Sequence, residues 1–455
     1  MGIFINKQNI MIPFLSILLI FISPISSNLS YFILAAWALS GRQQAIMSLF
    51  TTWFINTSNT ELFFSPVYGS AGRYIVIMGV IITAIINFKG TIKAHILFLW
   101  FLGGFLIFHA IAFSVVPEVS ILKSLLFIST LIAMLSLWGS LSLFEKKQTE
   151  RFIFSGLILI FLTSLLLYNL DIGYVVNGTG FQGLLNHPQS FGPFVAILLA
   201  YIIGNFLTSK NNFFWYFGLI ILCSALIFSS ESRTAGGAIF LALFISVLFF
   251  LFLSRQKIIS RFPRLRTKKY IIFFSVLFFV FLIFSNNISS NIQNYLLKSN
   301  TIIDSHQENS FLSKSASSLG SSRQEFYYEM LTNIKKTPLT GIGFGVASNP
   351  SSMNIVRDPL FNLAISAPIE KGIMPVALLE ELGLPGAFIV FSWFFILIRL
   401  ASIHGVAPLF VLTTMFTINL GENIFFSTGG MGLLLIVLTT WAVTKDQSID
   451  NNPKS

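Results

Sequence analysis

The sequence predicts an all-α polytopic integral membrane protein, and three observations predict it. Hydrophobic residues make up 55% of the 455 and charged residues only 10%, with a mean hydropathy of +0.81. Ordinary soluble domains carry roughly 25% charged residues, so a soluble fold of this size would lack the charge to cover its surface. Apolar runs long enough to span recur along most of the chain, and the basic residues gather in short loops between them. The 51 Phe exceed what one globular core needs. A bilayer suits such a chain, and inside it a helix satisfies its own backbone polar groups.

The elements follow in order. Ile10–Ile25 comes after Lys7, and Pro24-Ile-Ser-Ser is a poor cleavage site, so the run reads as an uncleaved first helix or signal anchor. Two shorter apolar pieces, 30–40 and 45–57, flank Gly41-Arg42 and fit either a pair of short spans or a re-entrant hairpin. Longer runs lie at about 72–88, 94–114, 119–144, 152–170, 190–207, 212–229, 233–254, 269–285, 376–400, 406–422 and 429–444. The expectation is about 12–13 transmembrane helices in three parts. These are an N-terminal bundle (1–285), a large extracytoplasmic loop (286–375), and C-terminal helices with a short cytoplasmic tail (376–455).

Charge sets the orientation. With the N-terminus inside, Lys89 and Lys93, Glu145–Arg151, Lys210, Arg399 and the 254–269 segment share one side. That last segment, RQKIISRFPRLRTKK after Ser254, holds seven Lys or Arg and no acid. The bias predicts a cytoplasmic N-terminus in a bacterial cytoplasmic (inner) membrane. Topology thus accounts for the net charge of +11, and no nucleic-acid partner is expected. The lone Cys223 lies in an apolar run and forms no intrachain disulfide.

The outward loop divides in two. Its first half is rich in Ser and Asn with little periodicity. Its second half opens with the capping box Ser322-Arg-Gln-Glu325, after which Phe326, Met330 and Ile334 recur at helical spacing. Pro338 and Gly341 end that helix, GIGFG reads as a flexible turn, and a short amphipathic helix on the outer membrane face fits the pattern.

Four polar clusters sit near the outer surface. They are Asn186-His187-Pro188-Gln189, the corner Ser229-Ser-Glu231-Ser-Arg233-Thr-Ala-Gly-Gly237, Ser322-Arg323, and Glu370-Lys371 leading to Glu380-Glu381. Each has a bland alternative. Arg233 alone fits snorkelling to headgroup phosphates, and His187 before a proline fits a helix cap. Arg323 at the first helical position opposes the macrodipole, which weakens a purely structural reading. Glu380-Glu381 in an apolar helix is harder to dismiss, with Lys371 or Arg233 as partners, because intramembrane carboxylates are costly unless paired or functional.

Two arginines, a histidine and several acids on one face suit a phosphorylated lipid donor. Guanidinium groups bind pyrophosphate bidentately and stabilise it as a leaving group, while a carboxylate or imidazole deprotonates an acceptor hydroxyl. The sequence has no DxD, no Cys/His ligand set and no glycine phosphate loop, so neither metal nor cofactor is expected.

At SESRTAGG, SSRQEFYYEMLTNIKKTPLTGIGFG and EKGIMPVALLEELGLPG, over roughly 180–390, the chain resembles the O-antigen ligase and polymerase superfamily of bacterial membrane glycosyltransferases. The resemblance implies transfer of glycan from undecaprenyl pyrophosphate to a glycan, lipid or protein acceptor at the outer face of the membrane, in surface polysaccharide biosynthesis. It implies that Arg233 and Arg323 engage the donor pyrophosphate, with Lys371 beside them. Many members carry a His where this chain has Gly372, so the acceptor base falls first to Glu370, then to His187 and Glu381. The competing classes are a lipid-linked glycan flippase, disfavoured by the lack of internal repeats or midplane polar groups, and a scaffold subunit of an export complex.

Overall fold

A computed structural model describes residues 7–66, 69–88, 94–176, 178, 180–208, 213–253, 324–357, 362, 364–367, 369 and 371–444. The expected span 269–285, the basic segment 254–269, Arg323 and Glu370 lie outside the described residues. Among the described residues, four helices are long and apolar enough to cross a membrane: Pro117–Ser140, Leu143–Leu165, Pro188–Thr208 and Met374–His404. Among the same residues seven further apolar helices are shorter, and many exposed Phe, Ile and Leu side chains suit a lipid-facing surface.

The first helices depart from the expected bounds. Helix α1 (Lys7–Leu19) stops before the predicted run ends, and α2 (Pro24–Leu39) begins at the proline that was read as part of α1. Pro24 starts a helix here because its missing N–H costs nothing at the first position. Ser23 supplies the cap, accepting from the Ser26 amide at 3.1 Å, while the Ser26 hydroxyl accepts from the Ser23 amide at 3.0 Å. Helix α3 (Arg42–Thr57) runs back beside α2 and is buried on nearly every face. The stretch 30–57 is therefore part of a two-helix hairpin, with α3 inside the bundle and one face of α2 exposed.

The remaining helices fall on the expected runs, with one exception. They are α4 (Gly69–Ile86), α5 (Ala94–Ala112), α6 (Pro117–Ser140), α7 (Leu143–Leu165), α8 (Pro188–Thr208), α9 (Phe213–Ser229) and α10 (Arg233–Leu253). The exception is α7, which begins at Leu143, so the Glu145–Arg151 stretch expected as a loop is its first turns. The amphipathic α11 (Gln324–Lys336) comes next, with Met330 buried and Tyr328 exposed. After it lie α12 (Met374–His404), α13 (Val406–Ile418) and α14 (Met431–Thr444). A two-stranded antiparallel ribbon, β1 (Val356–Arg357) with β2 (Ala364–Ser366), is an addition that the apolar periodicity did not reveal.

Small residues let the helices approach. A Cβ on Gly204 of α8 would lie 2.4 Å from the Ala407 Cα of α13, and one on Gly79 of α4 would lie 3.0 Å from the Ala35 carbonyl of α2. Helices α13 and α14 are buried along their whole length and form the bundle centre. At one end Arg42 donates to the Ser140 carbonyl at 2.6 Å and pairs with Glu145 at 3.6 Å, while Lys146 donates to the Thr444 carbonyl at 3.3 Å. Short connections alternate the helix directions, so α4, α6, α8, α10 and α12 all begin at the opposite end.

Helix α12 is broken inside its first third. Gly383 has φ 65° and ψ −177°, followed by Pro385, and a Cβ there would meet the Leu339 carbonyl at 2.3 Å. The amide of Leu384, freed from the helix ladder, donates to the Pro338 carbonyl at 2.9 Å. The break lets residues 338–340 run across the helix and sets the glycine-rich loop against its first turns.

Candidate active site

A cavity of about 480 Å³ opens at the end of the bundle where α4, α6, α8 and α12 begin. Arg73 and Tyr74 of α4, Lys123 of α6, His187 and Gln189 at the head of α8, and Glu381 of α12 line it. The α13–α14 turn adds Glu422, Asn423 and the run Ser427–Gly430, and Phe344, Phe426 and Leu126 provide apolar wall. A mixed lining of this kind suits a ligand with a charged group and an apolar part.

The acidic pair at the start of α12 is almost entirely enclosed, Glu380 at 0% and Glu381 at 4% exposure. An unpaired buried carboxylate costs several kcal/mol, and one cation here serves both. Lys371, itself 3% exposed, sits 2.7 Å from Glu380 Oε2 and 3.1 Å from Glu381 Oε1. The remaining lone pairs take hydrogen bonds. Glu380 accepts from Asn333 Nδ2 at 2.7 Å and from the Ser348 hydroxyl at 3.1 Å, and Glu381 Oε2 accepts from the Gly345 amide at 2.6 Å.

These bonds correct the reading of GIGFG as a flexible turn. The amides of Ile342 and Gly343 donate to the Glu380 and Glu381 carbonyls, each at 2.9 Å, and the Val115 amide donates to the Ile342 carbonyl at 2.9 Å. Gly341, Gly343 and Gly345 all have positive φ, which explains three glycines in five residues. Lys123 Nζ closes the arrangement by donating to the Gly345 carbonyl at 2.8 Å. The loop is a rigid wall, and the glycines serve its path.

The site residues expected from sequence separate into groups. His187 and Glu381 line the cavity. Lys371 is engaged by two carboxylates behind the wall, so it acts as their counter-ion and is spent for ligand binding. Arg233 is half-buried at the first position of α10 and is not among the lining residues, although its neighbour Thr234 donates to Glu422 Oε1 at 3.4 Å. Arg323 and Glu370 fall outside the described residues.

Sequence reasoning passed over Arg73, Lys123 and Glu422. Arg73 donates to the Tyr74 hydroxyl at 3.0 Å and has no carboxylate partner among the described residues. Its Nε is buried without a hydrogen-bond acceptor, and a Cβ on Gly429 would lie 2.3 Å from its Nη1. Lys123 was legible as a charge within an apolar run, which is a functional signal by default. Glu422 gave no such signal, because it falls where α13 was expected to end.

Above the cavity edge, Arg357 of β1 forms a two-pronged pair with Glu118 at the head of α6, one arm at 2.8 Å, and ties the ribbon to the bundle. Residues 218–391, from within α9 to within α12, match the family model described as O-antigen ligase. The matched stretch includes Arg233, the GIGFG loop and the Lys371–Glu380–Glu381 network, while Arg73, Lys123, His187 and Glu422 come from outside it. No curated protein matches the chain.

Proposed function

We propose, from the match of residues 218–391 to the O-antigen ligase family model, that the protein is a glycosyltransferase acting on a polyprenyl-pyrophosphate-linked glycan. The donor is undecaprenyl-pyrophosphate glycan, the acceptor a glycan, lipid or protein, and the product a surface polysaccharide. Polymerase and ligase are the same chemistry with different acceptors. The cavity lies at the end opposite the Arg42–Glu145 cluster, and the charge bias of the loops supports reading that end as the outer face of the bacterial inner membrane, with the N-terminus cytoplasmic.

One observation carries this reading: the cavity presents Arg73 and Lys123, neither paired with a carboxylate among the described residues, beside an apolar wall. Cations of this kind stabilise the charge that develops on a departing pyrophosphate. Arg233 is proposed to meet the donor at the rim, consistent with its opening the helix whose next residue touches Glu422, and Arg323 is proposed as a further donor ligand. The transfer is direct and inverting: acceptor oxygen attacks the anomeric carbon as the bond to pyrophosphate breaks on the opposite side. Neither metal nor cofactor is assigned a step.

Purified protein in proteoliposomes with lipid-linked glycan tests the proposal. Release of undecaprenyl pyrophosphate with lengthened or transferred glycan is the expected result. Movement of intact donor across the bilayer, without release, would make the protein a transporter instead.

A further inference from the structure

We propose that Gln189, Asn423 and Thr428 form a subsite for an uncharged sugar, the one bonded directly to the donor pyrophosphate. The proposal rests on the glycosyltransferase reading above and names the part of the donor that this side of the cavity takes.

The lining holds uncharged polar groups with their bonding capacity unspent. The side-chain amides of Gln189 and Asn423 and the hydroxyl of Thr428 face the cavity, and no group among the described residues hydrogen-bonds to any of them. Gln189 engages the protein through its backbone amide, which donates to His187 Nδ1 at 3.0 Å. Each side-chain amide offers an acceptor and two donors, and the hydroxyl plays either role. A sugar hydroxyl also donates and accepts, so an amide can meet two neighbouring hydroxyls, or an acetamido group, at once. A ring carboxylate would find no cation among the three.

Their placement is set by one corner and one arginine. Gly192 of α8 packs so closely on Ser232 that a Cβ there would overlap its side chain, and a Cβ on Gly421 would meet Thr234 Cγ2 at 2.5 Å. The head of α8, with Gln189, and the start of the α13–α14 turn, with Asn423, are thus held against the same corner at the head of α10. The far end of that turn backs onto the Arg73 guanidinium at Gly429, the residue after Thr428. Between the two ends the backbone is pinned. Asn419 is fully buried, and its side-chain oxygen accepts the amides of Ile424 and Phe425, each at 2.9 Å. The Ser427 hydroxyl accepts the Gly429 amide at 3.1 Å, and Phe425 packs among Trp393, Phe394 and Phe416. A turn held this firmly presents Asn423 and Thr428 at little ordering cost.

The donor's own connectivity selects the sugar. Its anomeric carbon is joined to the pyrophosphate through a single oxygen. Once Arg73 and Lys123 hold the phosphates, that ring lies beside Gly429 and the turn leading to it, and later sugars of the glycan lie farther out.

Full-length protein in nanodiscs would be titrated with two lipid-linked glycans, one beginning with a neutral hexose and one with a hexuronic acid, and with undecaprenyl pyrophosphate alone. Gln189→Ala, Asn423→Ala and the near-isosteric Thr428→Val should each weaken binding of the neutral-sugar lipid by about 2–10-fold, the value of one hydrogen bond. Binding of undecaprenyl pyrophosphate and the melting temperature should not change, because none of these side chains bonds to the protein. The wild type should bind the hexuronic lipid more weakly than the neutral one. Unchanged affinity for the neutral-sugar lipid in two of the three variants, an equal loss for undecaprenyl pyrophosphate alone, or tighter wild-type binding of the hexuronic lipid would each overturn the proposal. Binding is read without turnover, so the two readings fail separately. A protein that meets these outcomes yet releases no undecaprenyl pyrophosphate keeps the subsite and loses the glycosyltransferase reading, whereas release with affinities that the substitutions leave alone overturns the subsite only.

Discussion

Replacing Lys371 by Met tests whether the loop wall is held by charge. The side chains of Lys371, Glu380 and Glu381 are 1%, 0% and 5% exposed, so solvent screens their interaction little. Removing one partner of a buried ion pair costs about 3–5 kcal/mol. Here one cation serves two carboxylates, which points to the upper part of that range. The cheapest relief is to lift the 341–345 loop and wet the acids, since three of its amides bond to Glu380 and Glu381. At about 1.4 kcal/mol per tenfold, the loop-opening equilibrium should rise about 10²–10⁴-fold. Hydrogen exchange followed by mass spectrometry reads this directly: amides 342–345 should exchange faster by that factor, while those of α13 should not change. Adding Glu380→Gln to Lys371→Met removes one stranded charge and should restore much of the protection. Unchanged exchange at 342–345, or a double variant as fast as the single, would refute the electrostatic account.

Three further outcomes follow from the same geometry. Gly383→Ala forces a Cβ to 2.3 Å from the Leu339 carbonyl oxygen at φ 65°, and since backbone cannot step aside, the detergent-solubilised protein should lose thermal stability and expression. Gly429→Ala puts its Cβ 2.3 Å from Arg73 Nη1; a side-chain end can move, so thermal stability should hold while transfer activity falls to the level of Arg73→Ala. The Arg73→Ala/Gly429→Ala double variant should fall no further than either single one. Arg357→Ala breaks an exposed pair with Glu118, and such pairs contribute little, so its melting temperature should match the wild type; a clear drop would mean the ribbon supports the bundle.

Much of the fold was legible because a bilayer imposes a single rule on every span. Among the described residues, ten of the expected runs fall on helices, although α7 begins well before its run, at Leu143. The errors came where that rule gives no information. Pro24 was read as part of one run, since a proline at the first helical position and one inside a helix look alike in a hydropathy plot. The Gly383 break was missed for a related reason: Leu382-Gly-Leu-Pro is apolar throughout, and the signal lies in backbone conformation. Glu380 and Glu381 were singled out correctly as costly, and Lys371 was named among their partners, because burial of charge in an apolar helix demands compensation.

The site itself was only half legible, and the reason is how it is assembled. Its lining comes from the heads of α4, α6, α8 and α12 and from one turn, elements separated by up to hundreds of residues. No local spacing relates Arg73 to Gly429 or Thr234 to Glu422, yet each pair is in contact. Alternating helix directions bring every second helix head to one end, so each polar residue placed just inside a head on that side becomes a candidate together. That criterion selects Arg73, Lys123 and His187 in one pass, and it recovers Glu422 once the turn after α13 is counted as part of the same end. The criterion also separates Lys371 from the others. It is on the correct end, but the nearest carboxylates belong to its own helix head, and a buried lysine between two of them has no charge to spare for a ligand.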